Sequence, residues 1–468
     1  MCVGRQPQLG QTVRMAVPSV APLPLTPQQR RLALGLVALV TILATENLSI
    51  ATILPIVERD LGDIGLYGWV GAGFTLAQLV GVVIGGRLSD RMNPVVPMQI
   101  GIVCFVAGLV LATVAPTMLT LVAARVLQGI GAGIAPSTAY VCIGRAYDER
   151  QRPRMFAVMS TAWIAPSLGG PAVASLVAEQ FGWRWVFAGL LPFTVIASLA
   201  VFGPVRALGN PPAAGEPDRE RTTLIALILA VGAGLMLAGF GATSPWWGGV
   251  AGAAGLAVAV PAFRRLTPPG TLRAAPGMPA ACAVKGLLTF AFFSADFYLS
   301  LAIVDGRGRS TLYAGLALMV GSFTWTGAAW IQARLVGSWG YRRLVTIGLA
   351  CVAVGVGVTA TILSASVPVW MAFVGSAVSG FGIGLSYSPL SQVVLVEADV
   401  DGIGAATSAV QLCDVLGVSF GVGLGGAVVA TGARLGWDTT SAIAIVWTTS
   451  IIVAVLALIP AQRLRSTS

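Results

Sequence analysis

The sequence contains no histidine in 468 residues. That absence removes the usual general base, excludes Ser-His-Asp and Cys-His arrangements, and takes away the commonest zinc ligand. Charge is scarce too: only 10% of residues are Asp, Glu, Lys or Arg, against roughly 25% in an average soluble domain. The six cysteines, at 2, 104, 142, 282, 351 and 413, include no C-x-x-C pair, and all but Cys2 lie in or at the end of apolar runs. They read as small core residues and not as disulfides or metal ligands. Without His, a metal-ligand cluster or a P-loop, an enzyme is disfavoured, and neither a metal nor another cofactor is expected. Residues 1–29 have no charged n-region, short apolar run and small-residue cleavage site, so no cleaved signal peptide is expected.

What the chain has in abundance is apolar length. Hydrophobic residues make up 56% of it, and runs of about 20 residues are what a bilayer crossing requires. The runs place spans at 32–56, 66–86, 95–115, 117–140, 155–178, 185–204, 222–242, 245–263, 279–304, 311–332, 344–365, 368–390, 403–429 and 437–460. The expectation is an all-α polytopic membrane protein of about fourteen helices, or about twelve without the Gly-rich pair at 222–263.

The net charge of +10 falls in small clusters between these runs, with no basic stripe interleaved with aromatics, so nucleic acid is not an expected partner. Placing both termini inside puts twenty-one of the 28 Lys and Arg on the cytoplasmic side, five outside and two, Arg125 and Lys285, within spans. That alternation follows the positive-inside rule and supports the span map.

The chain also resembles itself. Leu66-Tyr67 recurs as Leu312-Tyr313, Arg87-Leu88 as Arg334-Leu335, and Gly129-x-Gly131-x-Gly133 as Gly380-x-Gly382-x-Gly384, at offsets of 246, 247 and 251. Glu46 corresponds to Asp296 at an offset of 250. The expected organisation is a cytoplasmic tail 1–31, a six-helix half 32–204, a linker 205–221, an inserted helix pair 222–263, a linker 264–278, a second six-helix half 279–460 and a tail 461–468. Two such halves are the usual frame for alternating access around a midplane site.

Three motifs stand in the first half. Gly86-Arg87-Leu88-Ser89-Asp90-Arg91 lies where the second span ends; Arg125-Val126-Leu127-Gln128-Gly129-Ile130-Gly131-Ala132-Gly133 lies in the fourth; Pro166-Ser167-Leu168-Gly169-Gly170-Pro171 lies in the fifth. They resemble, in order, the G-x-L-x-D-R loop, the R-x-x-Q-G-x-G-x-G helix motif and the Pro/Gly antiporter motif of the major facilitator superfamily. The resemblance extends to its fourteen-span drug:proton antiporter, or multidrug efflux, group. It departs in places: Asn93 and Pro94 follow the loop, Gly337 replaces the acid in its second-half copy, and Ala174 and Ser175 replace two antiporter-motif glycines. The resemblance implies a major facilitator fold, proton coupling at Arg125 and conformational roles for Gly86, Asp90, Arg91, Gln128, Gly129, Gly133, Pro166, Gly170 and Pro171. A plain positive-inside loop, a structural ion pair and a kinked packing helix are the alternative readings of the three motifs.

Intramembrane acids carry the sharpest expectations, because an unpaired charge in hydrocarbon costs several kcal/mol and a carboxyl escapes that cost by taking up a proton. Glu46, Asp296 and Asp414 qualify. Counted at 1.5 Å per residue, Glu46 lies roughly 21 Å from the inner end of its span and Arg125 roughly 12 Å from the outer end of its own, so the two are at matching depth. Glu46 is expected as the proton-exchanging carboxylate beside Arg125. Asp296 is expected either to hold a cationic substrate or to carry a second proton, and Asp414 is a further proton-coupling candidate. Phe297 and Trp163 are candidate cavity-lining residues. Lys285, near the start of its span, is expected to snorkel to the interface.

The expected function is therefore export of small, amphiphilic or drug-like compounds across a bacterial plasma membrane, driven by the proton gradient in place of a cofactor, with a monomer sufficient. Carriage of a specific metabolite and a non-transporting sensor on a transporter frame are the alternatives.

Overall fold

The computed structural model describes residues 25–148, 151, 155, 158–159, 161–162, 164–210, 218–397 and 403–464. Most of these residues are helical, with no strand among them. In lipid, a spanning segment must satisfy its own backbone, and the α-helix does so within a single run.

Helix α1, Pro27–Leu61, starts in a capping box: Thr26 accepts from the Gln29 backbone, Gln29 returns the bond, and Pro27 sits where no N–H is needed. Its 35 residues reach about 52 Å, well beyond a hydrocarbon core of about 30 Å, so both ends project. There follow α2 (Tyr67–Arg91), α3 (Val95–Thr113), α4 (Met118–Ala146), α5 (Ile164–Phe181), the short α6 (Arg184–Ala188) with α7 (Leu190–Arg206), α8 (Asp218–Gly241) and α9 (Pro245–Leu266). The chain continues through α10 (Met278–Leu301), a π-helical turn at Ala302–Gly306, α11 (Thr311–Ala360), α12 (Met371–Glu397), α13 (Ile403–Arg434) and α14 (Thr439–Ala461). Twelve helical stretches among the described residues are long and apolar enough to cross a membrane.

One of these holds two crossings. The spans expected at 311–332 and 344–365 are joined without a loop, and the chain reverses at Gly340, whose φ of 72° and ψ of 163° glycine adopts without steric cost. Counting both arms of α11, and α5, gives the expected fourteen. The first part of the fifth span, expected from 155, falls largely outside the described residues; Met155, Val158, Met159 and Thr161 are helical, and from Ile164 the helix is described continuously, with Pro166 near that point and Pro171 deeper in it.

The internal repeat is visible in the packing. A Cβ on Gly129 would stand 2.3 Å from the Phe74 carbonyl oxygen and one on Gly133 2.2 Å from that of Gln78, both on α2, while one on Gly131 would meet Gly101 on α3 at 2.4 Å. In the second half, a Cβ on Gly380 or Gly384 would stand 2.1 or 2.4 Å from the carbonyl oxygens of Gly321 and Trp325 on the first arm of α11, and one on Gly382 2.5 Å from that of Gly348 on its second arm. The two Gly-x-Gly-x-Gly runs thus make the same three-helix joint, backbone to backbone, as small residues do between helices in lipid.

The halves meet along two seams. On one, antiparallel α2 and α13 touch at Gly68 and Gly426, Gly71 and Val422, and Thr75 and Ser419, whose hydroxyls are 2.7 Å apart. On the other, Ser175 of α5 donates to the Thr311 carbonyl at 3.2 Å, and the Leu312 N–H donates to Glu179 at 2.9 Å. Helices α8 and α9 lie outside the first seam, where Leu229, Ala233 and Leu237 share an apolar cluster with Leu76 and Leu79 of α2 and Leu412 and Leu416 of α13.

Candidate functional site

The cross-half contacts gather toward one end of the bundle, the end that carries Asp60 and Arg184. There Arg59 of α1 pairs with Asp305 in the π-helical turn, and Tyr67 stacks on Tyr298 with centroids 5.8 Å apart. Partly exposed residues of the two central helices lie toward one side of each and include Val37, Ala38, Thr41, Thr45, Asn47, Leu48 and Ala51 on α1, and Ala283, Gly286, Leu287, Phe290, Phe293 and Asp296 on α10. Each helix is packed on its remaining sides by others of the bundle. From these partly uncovered faces of α1 and α10 we infer a cavity between the halves, closed by the cross-half contacts at the Arg184 end.

Beside this cavity, in the first half, is a sealed polar cluster. Arg125 is fully buried on α4 and Glu46 is 2% exposed on α1. Arg125 Nη1 donates to Glu46 Oε1 and, at 2.9 Å, to Gln128 Oε1; its Nε donates to the Val70 carbonyl at 3.1 Å, and its guanidinium lies 4.1 Å from the Phe74 ring centroid. These partners, drawn from three helices, hold the cation, which hydrocarbon could not. Glu46 Oε2 is buried with no hydrogen-bond partner among the described residues. The structure thus brings together Glu46, Arg125 and Gln128, with Gly129 and Gly133 setting the closeness of α2 to α4.

The second half has a different polar cluster. Lys285, expected to snorkel, is 1% exposed and does not reach the interface. Its Nζ donates to the Tyr387 carbonyl at 3.0 Å, lies 3.5 Å from Ser391 Oγ, and sits over the Tyr387 ring, 2.8 Å from the centroid. The Tyr387 hydroxyl donates to Asp414 Oδ2 at 2.6 Å. The snorkelling expectation fails because α10 is a central helix, leaving its lysine no path to a headgroup. Tyr387 went unnoticed in the sequence; nothing but its place beside a buried charge marks it.

Asp296 lies on the cavity stripe of α10, half-buried, and makes no hydrogen bond or ion pair among the described residues. The residue matching Arg125 at the motif offset is Ser376, which explains why Asp296 has no counterpart of the Glu46 pairing. Phe297, expected to line the cavity, is a correction. One position further is about 100° around the helix, and its ring packs edge-on to Tyr67 at 5.9 Å and against Gly71 in the α2–α13 seam. Trp163 lies outside the described residues, as does the Asp90 side chain.

Of the conformational residues, Pro171 and Ser175 bracket Gly315 of α11, where a Cβ would stand 2.5 Å from Ser175 Oγ and 2.8 Å from the Pro171 carbonyl oxygen. Gly170 instead faces Ser49 of α1, at 3.9 Å, so α5 is wedged between the halves. No described residue comes within 4 Å of a Cβ placed on Gly86, and Arg91 ends α2; there the α4 residue Arg145 donates to the Ser89 carbonyl at 2.6 Å.

Comparison with known proteins agrees with this architecture. The Major Facilitator Superfamily model matches residues 34–422. An uncharacterized MFS-type transporter of Mycobacterium tuberculosis is 29% identical over 456 residues, covering 92% of this chain. The chain spans only 64% of that relative's length. A methylenomycin A resistance protein of Streptomyces coelicolor is 26% identical, over 88% of this chain and 87% of the relative. Among solved structures, a POT family transporter in complex with 5-aminolevulinic acid superposes with a TM-score of 0.66 at 14% identity, covering 91% of this chain and 95% of the other. These relatives and neighbours are transporters, not enzymes.

Proposed function

Because the chain belongs to the Major Facilitator Superfamily, we propose that this transporter exports small amphiphilic compounds in exchange for protons, by rocking of its two halves. The observation that carries this reading is the sealed Glu46–Arg125–Gln128 cluster between α1 and α4, with a carboxylate oxygen left unpartnered. A carboxyl that is deeply buried yet paired with one cation is pulled toward its neutral form by desolvation and toward its charged form by the arginine. Loading and release of one proton then changes whether α1 and α4 are held together by charge. The resistance proteins among the relatives support export, and the closed Arg184 end beside a cavity supports alternating access.

In this reading the end bearing Arg87, Arg91 and Arg145 is cytoplasmic, the Arg184 end is outside, and the membrane is a bacterial plasma membrane. Gly170 and Pro171 let α5 pivot between the halves, Gly86, Asp90 and Arg91 act at the inner ends of the helices, and Asp296 offers its carboxylate to a cationic group. In proteoliposomes with an imposed proton gradient, the wild type should drive uphill movement of an amphiphilic cation, and substrate addition should move protons. Glu46→Gln should abolish uphill movement while leaving downhill flux. Uphill movement retained by Glu46→Gln refutes Glu46 as the exchanging group; no flux from the wild type for a broad compound panel refutes export.

A further inference from the structure

Lys285 and Asp296 are 11 residues apart on α10. Eleven residues make three turns plus about 20°, so the two charges stand almost in line along the helix, roughly 16 Å apart. Asp296 is on the cavity stripe, whereas Lys285 lies about 160° from its neighbours Ala283 and Leu287 and is buried behind Tyr387 and Ser391 of α12, past which a ligand must reach it. The space between them is walled by aromatics: Trp325 meets Phe292 edge-on at 5.5 Å, Phe293 at 6.1 Å and Tyr387 at 5.6 Å. Phe293, Trp325 and Tyr387 are all partly exposed. We propose that this face is a dipolar site selecting amphiphiles with an aromatic core, a cationic group at one end and a carboxylate at the other. The cationic group would lie at Asp296 and the carboxylate at Lys285. This deepens the export reading and rests on the cavity being the transport path.

Two features favour a ligand carboxylate at Lys285 over a purely internal role. The ammonium has three donors; one is well used on the Tyr387 carbonyl, and another reaches Ser391 only at 3.5 Å, the weak limit of a hydrogen bond. Ser391 is partly exposed, so an oxygen arriving from the cavity replaces a poor contact. Second, Lys285 and Asp414 form no direct ion pair: Tyr387 stands between them, its ring against the ammonium and its hydroxyl on Asp414 Oδ2. Asp414 Oδ1 is buried without a partner among the described residues. The ammonium is thus neutralised only at a distance. Asp414 opposes the incoming carboxylate, and removing its charge should strengthen that end of the site.

The test uses full-length protein in nanodiscs and two tritiated rods, 4′-(aminomethyl)biphenyl-4-carboxylic acid and its methyl ester, which lacks the anionic end. The wild type should bind the acid about tenfold more tightly than the ester, the effect of one well-placed charged contact. Lys285→Gln should remove that preference and leave the ester affinity within about twofold, Lys285→Arg should keep it, and Asp296→Asn should weaken both compounds together. Independently of whether Lys285→Gln folds, Asp414→Asn should tighten the acid severalfold and leave the ester unchanged. Equal binding of acid and ester by the wild type, an unchanged preference in folded Lys285→Gln, or acid binding not strengthened by Asp414→Asn overturns the proposal. Proteoliposome flux separates the two readings: preference for the acid without uphill flux of either rod keeps the dipolar site and sinks export, whereas flux without preference does the reverse.

Discussion

Neutralising one member of the Glu46–Arg125 pair should cost more from the acid's side than from the arginine's. Glu46→Gln leaves a guanidinium that cannot shed its proton in hydrocarbon, with only the Val70 carbonyl at 3.1 Å, Gln128 Oε1 at 2.9 Å and the Phe74 ring to face it. Breaking a buried pair this way costs about 3–5 kcal/mol. Arg125→Gln leaves a carboxyl that becomes neutral by taking up a proton, so the remaining cost is that of unsatisfied polar groups, about 1–3 kcal/mol. The double variant Glu46→Gln/Arg125→Gln puts two neutral amides in contact and should lose no more than Arg125→Gln alone. The implied coupling is at least the Glu46→Gln loss itself, about 3 kcal/mol, the upper end of the range for residues in direct contact. Unfolding in mixed micelles can be followed with a thiol-reactive dye, because Cys142, Cys282 and Cys413 are buried and report only when the bundle opens. If Glu46→Gln is no less stable than Arg125→Gln, or if the double variant loses the sum of the two, the pair does not carry the charge balance assigned to it.

Three further outcomes follow from the packing. Gly129→Ala places a Cβ 2.3 Å from the Phe74 carbonyl oxygen and should cost about 1–3 kcal/mol; Gly86→Ala, with nothing within 4 Å, should leave monodispersity and melting in size-exclusion assays unchanged. Arg59→Glu sets like charges opposite Asp305, so a cysteine at Val422, now 3% exposed in the seam, should react severalfold faster with an impermeant maleimide; an unchanged rate would show that the ion pair does not hold the seam shut. Gly68→Val brings a Cβ to 2.6 Å from the Gly426 Cα and should cut transport in proteoliposomes while the purified protein stays folded, since the clash falls between halves and not within one.

The fold was legible because lipid leaves few options: an apolar run must be a helix, and the arginines mark its ends. The Glu46–Arg125 contact was legible for the same reason, since depth along a straight helix is a matter of counting, and two opposite charges at one depth have strong cause to meet. Lys285 was misread because depth alone does not say whether a helix borders lipid; that depends on which helices surround α10. Phe297 was misread by a single residue, because the stripe that faces the cavity is set by the rotation of α10 and not by the nearness of Phe297 to Asp296 in sequence. The reversal at Gly340 gave no signal of its own, since a lone glycine in a basic segment reads as loop.

The repeat itself accounts for the division of labour between the halves. Both carry an acid at matching positions of their first helix and the same glycine joint in their fourth, yet the arginine of the first half becomes Ser376 in the second. With Arg125 present, Glu46 turns inward to a closed set of partners; with Ser376 in that place, Asp296 gains nothing by turning away and stays on the cavity stripe. One substitution in a duplicated frame is thus enough to separate a sealed titratable pair from an open carboxylate. On the proposed reading, restoring the symmetry should undo that separation: Ser376→Arg should draw Asp296 into a buried pair and abolish its contribution to binding a monocation such as tetraphenylphosphonium. Glu46-dependent proton movement should survive. If tetraphenylphosphonium affinity in Ser376→Arg matches the wild type while Asp296→Asn lowers it, the second acid is not governed by its missing arginine, and the division must arise from the aromatic wall around it.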